Sequence, residues 1–265
     1  MISLRFLGCF LFLWHETSSP PFFGIVISPL FSQKNIANQR HVWGSYTGLH
    51  LLSPKVAWLT EYQARSANGI QQWQQNLVRM GIEYAINSKI SCMLGYAWVR
   101  TYPYGEQPVL HSFDEQRIFE QITLKSNLDR VDIQHRYRLE QRWLDQYYMD
   151  VSGQVYEGVV GFRNRIRYRV MLTLPLSKPS LSDNTLFLNV NNEVFLGFGK
   201  GIAKNPLDQN RFITALGWRF NKQINLQLGY LNQFIIKGNG LDMERNHTLW
   251  MGLTYNVDFS QKGQP

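Results

Sequence analysis

The feature that most constrains this chain is a period-two alternation in which one face is apolar and the other ionic. Between Arg130 and Trp143, residues Val131, Ile133, His135, Tyr137, Leu139 and Trp143 alternate with Asp132, Gln134, Arg136, Arg138, Glu140 and Arg142. An extended strand points successive side chains to opposite faces, so this spacing separates an apolar face from a densely charged one. The next segment repeats the pattern. Phe162, Ile166, Tyr168, Val170, Leu172 and Leu174 oppose Arg163, Arg165, Arg167 and Arg169. No helical period is sustained anywhere after Val42, so the chain reads as all-β.

Nine further segments carry the same signal: 41–52, 55–65, 72–86, 89–101, 115–126, 185–196, 209–221, 223–236 and 245–259. Many exceed the usual strand of about five to six residues and match the roughly 9 to 11 that cross a bilayer when tilted. Tight turns are expected at Ser53-Pro54-Lys55, Asn87-Ser88-Lys89, Asn127-Leu128-Asp129 and Asn221-Lys222, and longer connections at 102–114, 145–158, 197–208 and 237–244. Tight turns on one rim and long loops on the other describe an antiparallel, up-and-down transmembrane β-barrel. Eleven segments are recognised, and because bacterial barrels carry even strand numbers the expectation is about 12 strands, with 10 as the fallback.

Composition agrees with a surface that does not meet water everywhere. Of 265 residues only 17% are charged, against about 25% in soluble domains, while 14% are aromatic and the formal net charge is +8. Helical membrane proteins are excluded, since they need several apolar runs of about 20 residues. Residues 1–32 combine Arg5 with the apolar runs Leu7–Trp14 and Phe22–Ile27, the signature of a secretory signal peptide. The expected organisation is therefore a signal peptide over 1–32 and an outer-membrane barrel domain over 33–265, with the mature start near Gln33. Rings at strand ends on the apolar faces, namely Trp58, Tyr62, Tyr84, Tyr137, Trp143, Tyr230, Trp250 and Tyr255, suit a membrane-water interface.

On the opposite faces an ionic ladder recurs: Glu61, Arg65, Arg79, Glu83, Glu115, Arg117, Arg136, Arg138, Glu140, Arg142, Arg163, Arg165, Arg167, Arg169, Glu193 and Arg211. A closed barrel places these residues around a polar lumen. Neighbouring strands would set Arg136, Arg138 and Arg142 beside the row 163–169, within about 5.5 Å across the pair. Such rows need counter-ions, for which Glu140, Glu120, Glu115 and Asp132 are the candidates. The ladder either fills and stiffens the barrel or forms an electropositive conduit for small anions.

Several of these segments resemble one family. The stretches 58–65 (WLTEYQAR), 77–84 (LVRMGIEY), 115–121 (EQRIFEQ), 135–142 (HRYRLEQR) and 163–168 (RNRIRY), with Gly95-Tyr96 and Asn210-Arg211, are similar to the family catalogued as domain of unknown function 2490. Its members are exported, uncharacterised proteins of Gram-negative, Bacteroidetes-type bacteria. The resemblance implies an outer-membrane β-barrel and brings no catalytic residue with it.

No chemistry-bearing constellation is assembled by spacing alone. His135 and His247 are the possible bases and Ser91 and Ser126 the possible nucleophiles, none of them adjacent in sequence. Gly197-Phe198-Gly199-Lys200-Gly201 lacks the strand-to-helix setting of a phosphate cradle, and no metal or other cofactor is expected. The expected partners are outer-membrane lipid, the barrel-assembly machinery and a small anionic solute, and not nucleic acid. The function read from the residues is a structural or pore-like, porin-like outer-membrane protein of unknown substrate. A lipid-modifying barrel enzyme and a soluble lipocalin-like binding protein are the alternatives.

Overall fold

The computed structural model describes residues 35–152, 154–200 and 205–260. The expected signal peptide and its cleavage site lie outside the described residues. Eleven strands follow one another: β1 (Asn35–Leu51), β2 (Val56–Ala67), β3 (Gln72–Ala85), β4 (Ile90–Thr101), β5 (Phe113–Leu128), β6 (Val131–Met149), β7 (Val155–Pro175), β8 (Thr185–Phe198), β9 (Leu207–Arg219), β10 (Ile224–Ile236) and β11 (Asp242–Tyr255). Each pairs with its sequence neighbours and β1 pairs with β11, closing the barrel.

The antiparallel all-β barrel is the fold, but its strand number is eleven rather than twelve or ten. Every turn reverses the chain, so an odd number leaves the first and last strands pointing the same way. The closing pair must then be parallel, and it is, in register from Asn35↔Asp242 to Thr47↔Thr254. That pairing occupies the free edges of both strands and leaves no place for a twelfth between them.

The tight connections 52–55, 86–89, 129–130 and 220–223 share one rim with the longer 176–184, and 68–71, 102–112, 150–154, 199–206 and 237–241 share the other. These are called the turn rim and the loop rim below. Asp129 adopts φ 52° in the two-residue turn between β5 and β6, a left-handed conformation that Asp tolerates better than most residues. The long connection expected at 145–158 is mostly strand, because β6 and β7 stay paired out to Met149↔Val155. The alternation lapses there in the sequence, which is why the extension was not legible.

Outward side chains are apolar over the half of the barrel nearer the turn rim: Met80, Ile82, Leu94, Ile122, Leu216, Leu228, Met251 and Leu253 are all exposed. Rings flank this band, with Trp58, Tyr84, Trp218 and Tyr255 towards the turn rim and Trp73, Phe162 and Phe198 towards the loop rim. Above it, outward polar groups bond to one another. Asn210 Nδ2 donates to Asn192 at 2.8 Å, Tyr230 Oη and His247 Nδ1 lie 2.6 Å apart, and Gln141 Nε2 donates to Glu120 at 3.2 Å. Trp250, expected among the outer rings, instead lines the lumen. It shares parity with the buried Glu244, Asn246 and Thr248, whereas Tyr255 has the opposite parity.

The interior mixes buried polar and charged groups with apolar side chains such as Trp43, Leu77, Val99, Phe195 and Leu231, and Leu59, Met93 and Phe119 pack together there as a small cluster. Gly95 lies under the Phe119 ring, and a Cβ there would strike both that ring and the Met80 carbonyl. Glycine at this position lets the ring lie flat against the barrel wall.

Candidate functional site

The structure sets every residue of the sequence-derived ladder at inward parity on β2 to β9 and brings most of them together at mid-height. Arginines face each other across strand pairs, as Arg117↔Arg142 on β5 and β6 and as Arg136↔Arg169, Arg138↔Arg167 and Arg142↔Arg163 on β6 and β7. Like charges directly opposite destabilise a pair, and carboxylates interleave to offset this. Glu115 accepts from Arg117 at 2.6 and 2.9 Å and from Arg142 at 3.1 Å. Glu140 accepts from Arg165 at 2.6 and 2.9 Å and from Arg167 at 2.6 Å. Glu193 takes Arg136 at 2.6 Å and Arg167 at 3.0 Å, and Glu61 takes Arg79 at 2.5 Å. The planar guanidinium fork makes such shared, bidentate contacts possible.

Two of the expected counter-ions are elsewhere. Glu120 points outward, one residue out of phase with Phe119 and Gln121, and Asp132 sits at the turn rim bonded to Asn127. Their places are taken by Glu193 and by Asp208, which holds Arg165 at 2.6 Å and lies 3.8 Å from Arg142. Glu83 stands away from the belt, nearer the turn rim with Lys125. Arg163 lies towards the loop rim, opposite Arg142.

Arginines outnumber carboxylates in this belt, and four are held mainly by amides and rings. Arg65 donates to Gln63 and Gln75 at 2.5 Å each and lies 4.3 Å over Trp43. Arg138 donates to Gln121 at 2.5 Å and lies 4.4 Å over Phe119. Arg169 donates to Gln134 at 2.7 Å. Arg211 donates to Gln209 at 3.0 Å and lies between Phe195, at 4.8 Å, and Trp43, at 5.3 Å. Cation-π contacts of this kind hold a guanidinium without neutralising it. The platforms Trp43, Phe119 and Phe195 were missed by sequence reading, although Phe119 and Phe195 share parity with the ladder residues beside them.

Two cavities flank the belt, one of about 430 Å³ towards the turn rim and one of about 200 Å³ towards the loop rim. Gln63, Arg79, Arg167 and Arg211 line both and so form the partition. The belt is nearly dry, with Arg79, Arg138, Arg165, Arg167 and Glu140 between 1% and 4% exposed. Eight strands enclose an interior that side chains just fill; here long arginines and rings fill the wider bore of eleven.

The loop-rim mouth is narrowed by the connection 102–112, a feature with no signal in the sequence. Tyr104 Oη donates to the fully buried Glu244 at 2.9 Å, and its ring meets that of His41 edge-on at 5.7 Å. Lys237 pairs with Glu244 and reaches the Gln107 carbonyl at 3.5 Å. Burial, reinforced by the Glu244 charge, holds the Tyr104 phenol above the usual tyrosine range.

The candidate nucleophiles and bases do not meet. His135 bonds the Tyr168 hydroxyl at 2.8 Å and His247 that of Tyr230, both on the outer face, whereas Ser91 is buried inside. Among the described residues no group of His, Cys, Asp and Glu is arranged to hold a metal ion.

Residues 40–245 match the family described as Protein of unknown function (DUF2490). An uncharacterised protein of Methylorubrum extorquens is 27% identical over 202 residues, covering 75% of this chain and 79% of its own length. Among solved structures, the NanC porin in a rhombohedral crystal form is similar with a TM-score of 0.46 and 12% identity, over 82% of this chain and 99% of its own. Most of the chain lies within the family match, and the chain belongs to that family.

Proposed function

We propose that this member of the family is an outer-membrane barrel that passes small anions through a narrow, arginine-lined constriction. The observation that carries the proposal is the partition between the two cavities. It is built around Arg79, Arg167 and Arg211, and Arg211 has an amide and two rings about it but no ion pair among the described contacts. Rings of arginine and lysine select anions in pores, because an entering anion exchanges its hydration shell for fixed donors. The single-digit exposure of the belt restricts the solute to a small one.

Support for a membrane setting comes from the outer surface. The exposed aliphatic band, flanked by rings on both sides and ending in mutually bonded polar groups, is far larger than the apolar patches of soluble monomers. It matches the apolar band and aromatic girdles of membrane barrels. In this reading residues 1–32 are the export signal, the outer face meets lipid, and the barrel-assembly machinery inserts the folded chain.

Two measurements test the proposal. The expressed chain should fractionate with outer membranes and migrate faster on gels unless heated, and recovery in the soluble periplasm would refute the membrane assignment. Vesicles containing refolded protein should release chloride and acetate faster than sodium or choline. Equal release of both signs, or none, would refute the anion conduit.

A further inference from the structure

The like-charged pairs Arg136↔Arg169 and Arg138↔Arg167 make a two-by-two arginine patch on the floor of the larger cavity. Glu193 satisfies only one diagonal, accepting from Arg136 at 2.6 Å and Arg167 at 3.0 Å. The other diagonal, Arg138 and Arg169, donates hydrogen bonds only to amide oxygens, those of Gln121 and Gln134. Glu140 approaches Arg138 no closer than 4.0 Å. Arg138 is 3% exposed, yet its Nη1 has no hydrogen-bond partner, and neither has Arg169 Nε. Buried donors left in this state are rare and call for an acceptor.

The walls above the floor are of a different kind. Asn189, Asn191 and Thr123 present amides and hydroxyls, and the side-chain oxygens of Asn225 and Gln227 are buried without partners. Carboxylates and guanidinium forks match in geometry, while amide walls recognise hydroxyl groups. The volume, about 430 Å³, lies within the ordinary range of small-molecule sites, about 300 to 1,000 Å³.

We infer that this cavity is a binding vestibule for a small hydroxylated organic carboxylate, its charged end seated on Arg138 and Arg169 and its hydroxyls facing the amide wall. The site lies in the lumen whose anion preference is proposed above and rests on that reading. It adds that one ligand class is held on its way to the partition.

The test is calorimetric titration of the full refolded chain in detergent, which needs no conductance. Gluconate should bind, acetate at least tenfold more weakly, and glucose not measurably. Arg138→Gln and Arg169→Gln should each weaken gluconate about tenfold, the worth of one charge-assisted hydrogen bond. Arg169→Lys, which keeps the charge and loses the fork, should fall between, and Lys222→Gln on the turn rim should bind as wild type. Heat-modifiable migration establishes that each variant is folded. Equal binding of acetate and gluconate would overturn the amide-wall part, and tighter binding of inorganic phosphate would overturn the carboxylate class. No binding of any of these anions would overturn the vestibule while leaving chloride release from vesicles, and with it the conduit, standing.

Discussion

Replacing Glu140 by Gln probes the belt at its most connected point. Both carboxylate oxygens are used, with contacts of 2.6 and 2.9 Å to Arg165 and 2.6 Å to Arg167, at 1% exposure. Glutamine keeps one acceptor oxygen but places an NH₂ against a guanidinium and removes the only charge touching both arginines. Breaking a buried ion pair by removing one partner costs roughly 3–5 kcal/mol, and because Arg165 keeps Asp208 and Arg167 keeps Glu193 the lower figure, about 3 kcal/mol, is expected. With a urea dependence of about 2 kcal/mol per molar, the midpoint of unfolding from vesicles should fall by about 1.5 M. Glu120→Gln is the matched control, since among the described residues its hydrogen-bond partner is Gln141 on the outer face, and it should shift the midpoint by a few tenths of a molar at most. Equal midpoints for the two variants would refute the idea that the belt's carboxylates hold its like charges together.

Other predictions follow from separate contacts. Gly95→Ala should destabilise the barrel by about 1–3 kcal/mol, because a Cβ there meets the Phe119 ring and the Met80 carbonyl backbone; an unchanged urea midpoint would contradict the packing. Tyr104→Phe removes the donor to buried Glu244 and should increase chloride release from vesicles as the connection 102–112 loosens, whereas unchanged release would mean that the connection does not narrow the mouth. The same phenol should stay protonated in a near-ultraviolet titration after exposed tyrosines have ionised, since burial and the Glu244 charge raise its pKa. The stabilisation this brings is fully present below the ordinary tyrosine pKa and is lost as pH rises through the folded value. Paired cysteines at Val42 and Leu249, partners in the parallel seam, should cross-link on oxidation in folded protein, and failure to do so would contradict closure between β1 and β11.

The alternation of residues 130–143 and 162–174 was enough to assign both faces of β6 and β7, because side-chain parity along a strand is a local property. Ion-pair partners are not local. Glu120 and Glu115 differ by one parity step, and counting parity separates them, but that Glu193 serves Arg136 depends on the register of three strands. Asp208 stands at the start of β9, where alternation has not yet begun, so nothing in its surroundings marks it as a partner of Arg165. The eleven segments and the closed barrel were legible from periodicity and strand length, whereas the parallel seam that closes it was not, since pairing between the first and last strands leaves no local signature. Trp250 was misplaced for a different reason: its adjacent residues Leu249 and Met251 are both apolar, and only counting parity back to Glu244, Asn246 and Thr248 marks it as inward.

The most direct test of the arginine belt as an anion filter is the reversal potential of refolded protein in a planar bilayer under a potassium chloride gradient. Wild-type protein should reverse towards the chloride equilibrium potential, and Arg211→Gln, which removes the partition arginine held by Gln209, Trp43 and Phe195, should move it measurably towards zero. Reversal towards the potassium potential, or an Arg211→Gln value equal to wild type, would contradict the account.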